Sequence, residues 1–265
     1  MKKIAAIILG IILSAALLSS QGFAEQALSV DEIVNRANLA AYYAGNDGRS
    51  EVSMTITDSQ GRIRNREFVI LRRDVADGGD QQFYVYFQKP SDVRKMVFMV
   101  HKHIDKDDDR WLYLPALDLV KRIAAADKRT SFVGSHFLYE DVSGRSATED
   151  NHELIETTDS SYVLKNIPKD LKSVEFSSYT VWIDKKTFLP MKAEYFDSNN
   201  KKYRTVEALK TDTIQGLPTV LSSRVQDLNS GGNTVTEFTK IQYDIGLADN
   251  IFTERYLRRA PREVR

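Results

Sequence analysis

The sequence predicts a mainly β protein with a few α-helices, built as an antiparallel meander too long to stay flat. Three observations lead there. Apolar residues recur with a period of two over most of the chain after residue 48, and short turns rich in Gly, Asn and Asp separate the runs. Helical spacing is confined to one segment near the start and one near the end. Consecutive strands joined by short turns pair as antiparallel neighbours, and about ten or eleven of them must curl into a barrel or split into a sandwich.

The helix comes first. Ser29 and Glu32 have the spacing of a capping box, and Ile33, Val34, Ala37 and Ala40 or Ala41 repeat at helical intervals. Residues 30–43 therefore form one amphipathic helix, which Gly45-Asn46-Asp47-Gly48 ends. Val52, Met54 and Ile56 then alternate with polar residues, and Ser59-Gln60-Gly61 turns the chain into a strand over 63–73. Asp77-Gly78-Gly79-Asp80 leads into strands over 82–88 and 94–104. Two runs here, Phe83 to Phe87 and Met96 to Val100, are apolar at both parities, so something covers each side of the sheet. One side is core; the other needs a helix, a lid or a guest molecule.

Residues 110–114 continue the pattern with an aromatic run, and 124–151 then interrupt it. A loop of that length in a compact domain is functional or disordered, and Phe132, Phe137 and Tyr139 argue against disorder. Strands resume over 161–165, 173–184, 190–197, 201–213, 216–228 and 234–245. Asp197-Ser198-Asn199-Asn200 and Asn229-Ser230-Gly231-Gly232-Asn233 are hairpin turns. Residues 249–259 form a short helix with Ile251, Phe252, Tyr256 and Leu257 near one face.

Lys2 and Lys3, the apolar run Ile4 to Leu18 and the small residues of Gly22-Phe23-Ala24 have the order of a cleaved secretory signal. Cleavage near Ala24 leaves 241 residues with 35 basic and 37 acidic side chains, a net charge of −2. That balance excludes a nucleic-acid binder, whose affinity rests on excess Lys and Arg. The chain has no cysteine, so neither a lipid-modified cysteine nor a disulfide is available, and a single domain over 25–265 must hold together by burial alone.

Sites for chemistry are sparse. His101, His103, Asp105, Asp107, Asp108 and Asp109 form the one dense cluster of possible metal ligands, with both imidazoles on one strand face. As a calcium loop the run fails, because Arg110 stands where glycine is needed and Ala116 where a bidentate glutamate belongs. A solvated turn explains it without a metal. Gly134-Ser135-His136 lacks the surroundings of a nucleophile elbow, and no Gly-rich phosphate loop occurs. Nothing indicates an enzyme or a cofactor. The paired bases Lys121-Arg122 and Lys128-Arg129 form either a solvated rim or an anionic contact beside an apolar mouth.

Four motifs within 110–142 occur together: Trp111-Leu112-Tyr113-Leu114-Pro115-Ala116, Val120-Lys121-Arg122-Ile123, Ser131-Phe132-Val133-Gly134-Ser135 and Tyr139-Glu140-Asp141. Their order and spacing resemble the LolA-like outer-membrane lipoprotein-sorting family, in the branch with the Tp-0789-type domain. Asp249-Asn250-Ile251-Phe252 and Arg255-Tyr256-Leu257 resemble the family's ending. His136 departs from it, since the family more often carries an acid after Gly-Ser.

The resemblance implies a half-open, LolA/LolB-like β-barrel: a curved antiparallel sheet around helices, with an apolar cavity for acyl chains. It further implies a periplasmic monomer that carries a lipid or a lipoprotein acyl group, touches membranes transiently and serves an inner-membrane RND-type exporter. Candidate liners are Phe83, Val85 and Phe87, then Met96, Phe98 and Val100, then Trp111 and Tyr113. Phe132, Val133, Phe137 and Leu138 are the candidate lid. Two rival readings stand beside it: an exporter accessory that binds protein partners around a filled core, and a metal enzyme built on His101 and His103.

Overall fold

The computed structural model describes residues 28–76 and 78–265; the signal segment expected at 1–24 lies outside the described residues, as does Asp77. Helix α1 (Val30–Tyr42) starts where the capping motif places it, with the Ser29 hydroxyl accepting from the Glu32 N–H at 3.2 Å. Its buried residues Ile33 and Ala37 pack with Leu164 and Ile183.

Thirteen antiparallel strands follow. They are β1 (Asp47–Thr57), β2 (Ile63–Asp74), β3 (Gln81–Lys89), β4 (Val97–Lys102), β5 (Asp109–Leu114), β6 (Leu119–Ile123) and β7 (Asp150–Thr157). Then come β8 (Ser161–Pro168), β9 (Ser178–Asp184), β10 (Pro190–Phe196), β11 (Lys202–Ile214), β12 (Leu217–Asp227) and β13 (Gly232–Tyr243). Helix α2 (Tyr139–Ser143) lies between β6 and β7, and α3 (Glu254–Arg258) follows β13. No helix among the described residues is long and apolar enough to cross a membrane.

All the strands belong to one sheet, in the order β6-β5-β4-β3-β2-β1-β13-β12-β11-β10-β9-β8-β7. It is a curved sheet that is not closed, two meanders fused where β1 pairs with β13. The curvature follows from α1, which packs on β7 and β12 while the Tyr42 carbonyl at its end accepts from Arg72 of β2 and Gln81 of β3. One helix touches strands far apart in the sheet order only if the sheet wraps around it.

Three expectations change in detail, the first being that the strand expected over 173–184 begins only at Ser178. The edge strands β6 and β7 are not legible as strands by pattern, because β6 has only five residues with Lys121-Arg122 breaking its alternation and β7 is mostly polar or charged. The C-terminal segment is not one helix over 249–259: a 3-10 turn at Asp249–Phe252 stops at Thr253 before α3 begins.

The two-sided apolar runs do have two covers. Phe83, Val85, Phe98 and Val100 face inward, whereas Tyr84, Val97 and Met99 face outward beneath Leu247, Ile251, Phe252 and Leu257 of the C-terminal segment. The strap is tied down by polar contacts as well. The Tyr84 hydroxyl donates to the Tyr256 carbonyl at 2.7 Å, and Gln88 donates to the Val264 carbonyl at 3.1 Å.

Candidate functional site

The inner face of the sheet has two halves. Across β1 to β6 it is aliphatic and aromatic, with Ile56, Phe68, Phe87, Phe98 and Leu112 in one cluster. Across β8 to β13 it is mixed: Leu164 and Ile183 meet α1, but polar groups stand among the inward positions. Thr234 and Thr236 of β13 are buried, and Tyr179, Tyr195 and Arg204 stand side by side on β9, β10 and β11. The Tyr179 and Tyr195 rings stack at 5.0 Å, and the Arg204 guanidinium lies 5.0 Å over Tyr195.

The segment 124–149 joins the two free edges of the sheet, β6 and β7, and so must cross the concave side. Phe132 sits at the centre of the aromatic half, 2 % exposed, with its ring 5.4 Å from Phe98, 5.8 Å from Phe87 and 5.7 Å from Tyr139. Val133 and Phe137 pack against the same cluster. The loop tip is pinned on its far side: the His136 N–H donates to the Thr234 hydroxyl at 3.0 Å, and Arg64 donates to the Gly134 carbonyl at 3.1 Å. Gly232 makes room for the imidazole, since a Cβ there would lie 2.3 Å from His136 Nε2. Burial pushes the His136 imidazole below its ordinary range.

Helix α2 holds the loop through charge. Glu140 is 3 % exposed and pairs with Arg129, with Lys128 at 3.3 Å and with Arg145 at 3.5 Å. These cations have further partners: Glu175 on Arg129, Glu149 on Lys128 and Asp150 on Arg145. Burial by itself would raise the Glu140 carboxyl, but the Arg129, Lys128 and Arg145 charges outweigh it and hold the group below the usual carboxylate range. Beside it Asp141 pairs with Arg204 at 2.5 Å and also accepts from the Leu138 N–H. Lys128-Arg129 is therefore a buried structural pair rather than a solvated rim. The sequence motif Tyr139-Glu140-Asp141 points one residue into each environment: Tyr139 into the aromatic cluster, Glu140 and Asp141 into the ionic one.

The structure gathers Phe83, Val85, Phe87, Phe98 and Val100 into one inner cluster, with Met96 packed against it. Trp111 and Tyr113 do not join them. On β5 the inward positions are Arg110 and Leu112, so Trp111 and Tyr113 fall on the outer face beneath the C-terminal strap, with Arg122 over Trp111 and Arg258 over Tyr113. Leu138 is half-buried and forms a lone bridge with Ser131 that closes the base of the loop.

The metal reading loses its geometry. His101 Nε2 meets the Phe252 carbonyl at 2.8 Å, whereas His103 meets Asp80 at 2.7 Å and Asp109 at 3.4 Å. Among the described residues no group of three or more His, Asp or Glu side chains converges to hold a metal. The Ser135 hydroxyl donates to the Phe132 carbonyl and leaves His136 to Thr234, so the pair is a loop brace.

A family model described only as that of an uncharacterized protein matches residues 79–259, well over half of the chain. No curated protein matches. Among solved structures, a DUF1329 family protein from Desulfovibrio piger is 29 % identical, with a TM-score of 0.78 over 86 % of this chain and 97 % of its own. An outer-membrane lipoprotein-sorting protein domain from Vibrio parahaemolyticus is 27 % identical, with the same TM-score and coverage. A LolA superfamily protein from Nitrosomonas europaea shares the fold, at TM-score 0.67 and 19 % identity over 87 % of this chain and 100 % of its own. The matched span runs from the turn before β3 to the C-terminal strap and takes in the whole segment between the sheet edges. With that span, these neighbours and an unclosed sheet around its helices, the chain belongs to the LolA-like outer-membrane lipoprotein-sorting protein family.

Proposed function

We propose that residues 25–265 act as a periplasmic carrier that holds an acyl chain of a lipid or lipoprotein against the aromatic half of the inner face. The 124–149 segment is its lid. One observation carries this reading: the chain that bridges the two open edges inserts Phe132 where a guest would sit, while its tip is tied to the sheet by a few polar contacts. Swinging that loop out leaves an apolar concavity between β1 and β6 without breaking any strand pairing. The lipoprotein-sorting relative in Vibrio parahaemolyticus supports the same cargo class, and the signal-like start of the sequence supports the compartment.

The energetics allow such an exchange. Each buried methylene contributes about 0.8 kcal/mol, so ~14 carbons gain on the order of 10 kcal/mol before binding costs. Displacing Phe132 with the partly buried Val133 and Phe137 costs about 5 kcal/mol of burial, which is smaller. Transfer then needs only a membrane or partner that favours the open state, and an inner-membrane RND-type exporter handing cargo toward the outer membrane fits that role.

Native mass spectrometry of the mature protein, purified gently from its own periplasm and followed by solvent extraction, tests the reading. A discrete bound mass that extracts as lipid is the expected result. A bare protein mass, from material that also takes up no acyl probe, would replace the carrier with an exporter accessory whose core is permanently filled by its own loop.

A further inference from the structure

The apolar row on the inner face of β4 does not end in water. Phe98 and Val100 face inward, and the next residue at that parity is Lys102; on β5, Leu112 is followed in the same way by Arg110, which pairs across from Val100. Lys102 and Arg110 are each 3 % exposed. Both line a cleft of about 630 Å³ that opens between the β4–β5 turn, the end of α2 and the connection after β8.

These two cations have donors to spare. The Lys102 ammonium gives hydrogens to the Ser143 and Gly144 carbonyls, at 2.6 and 3.2 Å, and so closes the C-terminal end of α2. Its third hydrogen meets no oxygen among the described residues, and only the Tyr42 ring lies beside the ammonium, 5.1 Å from it to the centroid. Among the described residues it forms no ion pair with a carboxylate, and burial pushes its pKa down. Arg110 pairs through Nη2 with Asp108 at 2.6 Å, but its buried Nε and Nη1 meet no acceptor. A buried cation with unmet donors is costly unless an anion completes it.

The acids of the cleft are engaged elsewhere. Asp108 accepts from Arg110, from the Ser143 hydroxyl and from the His103 N–H. Glu140 and Glu149 are taken up by Lys128 and Arg145. Asp105, Asp107 and Asp170 are exposed at the rim, where water and salt screen them.

We infer that Lys102 and Arg110 form a binding site for an anionic head group, carboxylate or phosphate, of an amphiphile whose acyl chain lies along the Phe98 and Val100 row. This rests on the carrier reading and narrows its cargo to anionic amphiphiles. An oxyanion between the two side chains receives the third ammonium hydrogen and an unmet guanidinium N–H of Arg110, while the chain runs toward the position of Phe132. Charge and apolar surface are then recognised at adjacent positions of the same two strands.

Calorimetric titration of the mature protein with dodecanoate, dodecanol and inorganic phosphate, each amphiphile below its micellar concentration, tests the site. Charge-assisted hydrogen bonds in a buried site predict dodecanoate binding at least about tenfold tighter than dodecanol. In a Lys102→Gln, Arg110→Gln double variant the two affinities should converge. Equal affinities in the unaltered protein overturn the anion site and leave the carrier standing. Phosphate binding that needs Lys102 and Arg110, with neither amphiphile bound, overturns the amphiphile and the carrier together and leaves a free-anion site. No binding of any probe removes both readings. The unaltered protein alone supplies the decisive ratio, so a double variant that fails to fold does not blunt the test.

Discussion

Glu140→Gln removes one charge from the most heavily paired carboxylate of the lid. Three cations converge on Glu140, and each keeps another carboxylate: Arg129 has Glu175 at 2.6 Å, Lys128 has Glu149 at 2.8 Å and Arg145 has Asp150 at 2.9 Å. Breaking a buried pair costs about 3–5 kcal/mol when the remaining charge is stranded. Here no cation is stranded, which places the cost near the lower end, about 3 kcal/mol. With a urea slope of about 3 kcal/mol per molar, the unfolding midpoint at neutral pH should fall by about 1 M. The pH dependence gives a second signature. A carboxyl held below its usual range adds stability that is fully present above its unfolded pKa, about 4.3, and is lost as pH falls through the folded value. Acidification should therefore close the gap between the unaltered protein and the variant. A midpoint shift under about 0.3 M, or a gap that persists in acid, would refute the assignment of Glu140 as the electrostatic anchor of the lid.

Three further outcomes follow from the same geometry. Phe132→Asp with Phe137→Asp should lower the lipid that co-purifies while circular dichroism still reports the sheet, because the charged loop is expelled from the aromatic half; a folded double variant that retains its lipid would sink the lid assignment. Gly144→Ala should cost about 2 kcal/mol or more, since φ is +76° and a Cβ would lie 2.3 Å from the Tyr42 ring; a thermal midpoint within about 2 °C of the unaltered chain contradicts this. Removing residues 247–265 uncovers Val69, Tyr84, Met99 and Trp111, and should yield a chain that aggregates or binds an apolar dye; a soluble, dye-silent truncation would show that the strap is dispensable.

Much of the fold was legible because its rules are local. The Ser29 cap set the start of α1, and period-two alternation found β1 to β3 and β8 to β13. The double apolarity of β3 and β4 announced two covers, although not that a C-terminal strap supplies the outer one. What pattern missed were the edges. Asp150–Thr157 is mostly polar, and Leu119–Ile123 is only five residues long with Lys121-Arg122 breaking its apolar run, because an edge strand buries little and gains from charge that discourages pairing with other chains.

Six of the candidate liners and three of the lid candidates lie in or against one inner cluster, but the faces were not equally legible in the sequence. A run such as Trp111-Leu112-Tyr113-Leu114 is apolar at both parities, so the sequence offers no contrast to say which parity looks inward. The ionic anchor was invisible for another reason. Arg129, Glu140, Glu175 and Arg204 are spread over more than seventy residues, and charged side chains read as surface until the fold brings them together.

By itself, then, the sequence determined a long antiparallel meander, a capped first helix, an aromatic-rich segment that interrupts the strands and a likeness to the lipoprotein-sorting family. Those features depend on residues a few positions apart, where backbone periodicity and turn chemistry act. The tertiary structure alone decided that β1 pairs with β13 to fuse two meanders, that the interrupting segment spans the two free edges, and that Phe132, Glu140, Lys102 and Arg110 share one concave side. Each of those depends on curvature accumulated over thirteen strands, which no local stretch of sequence carries.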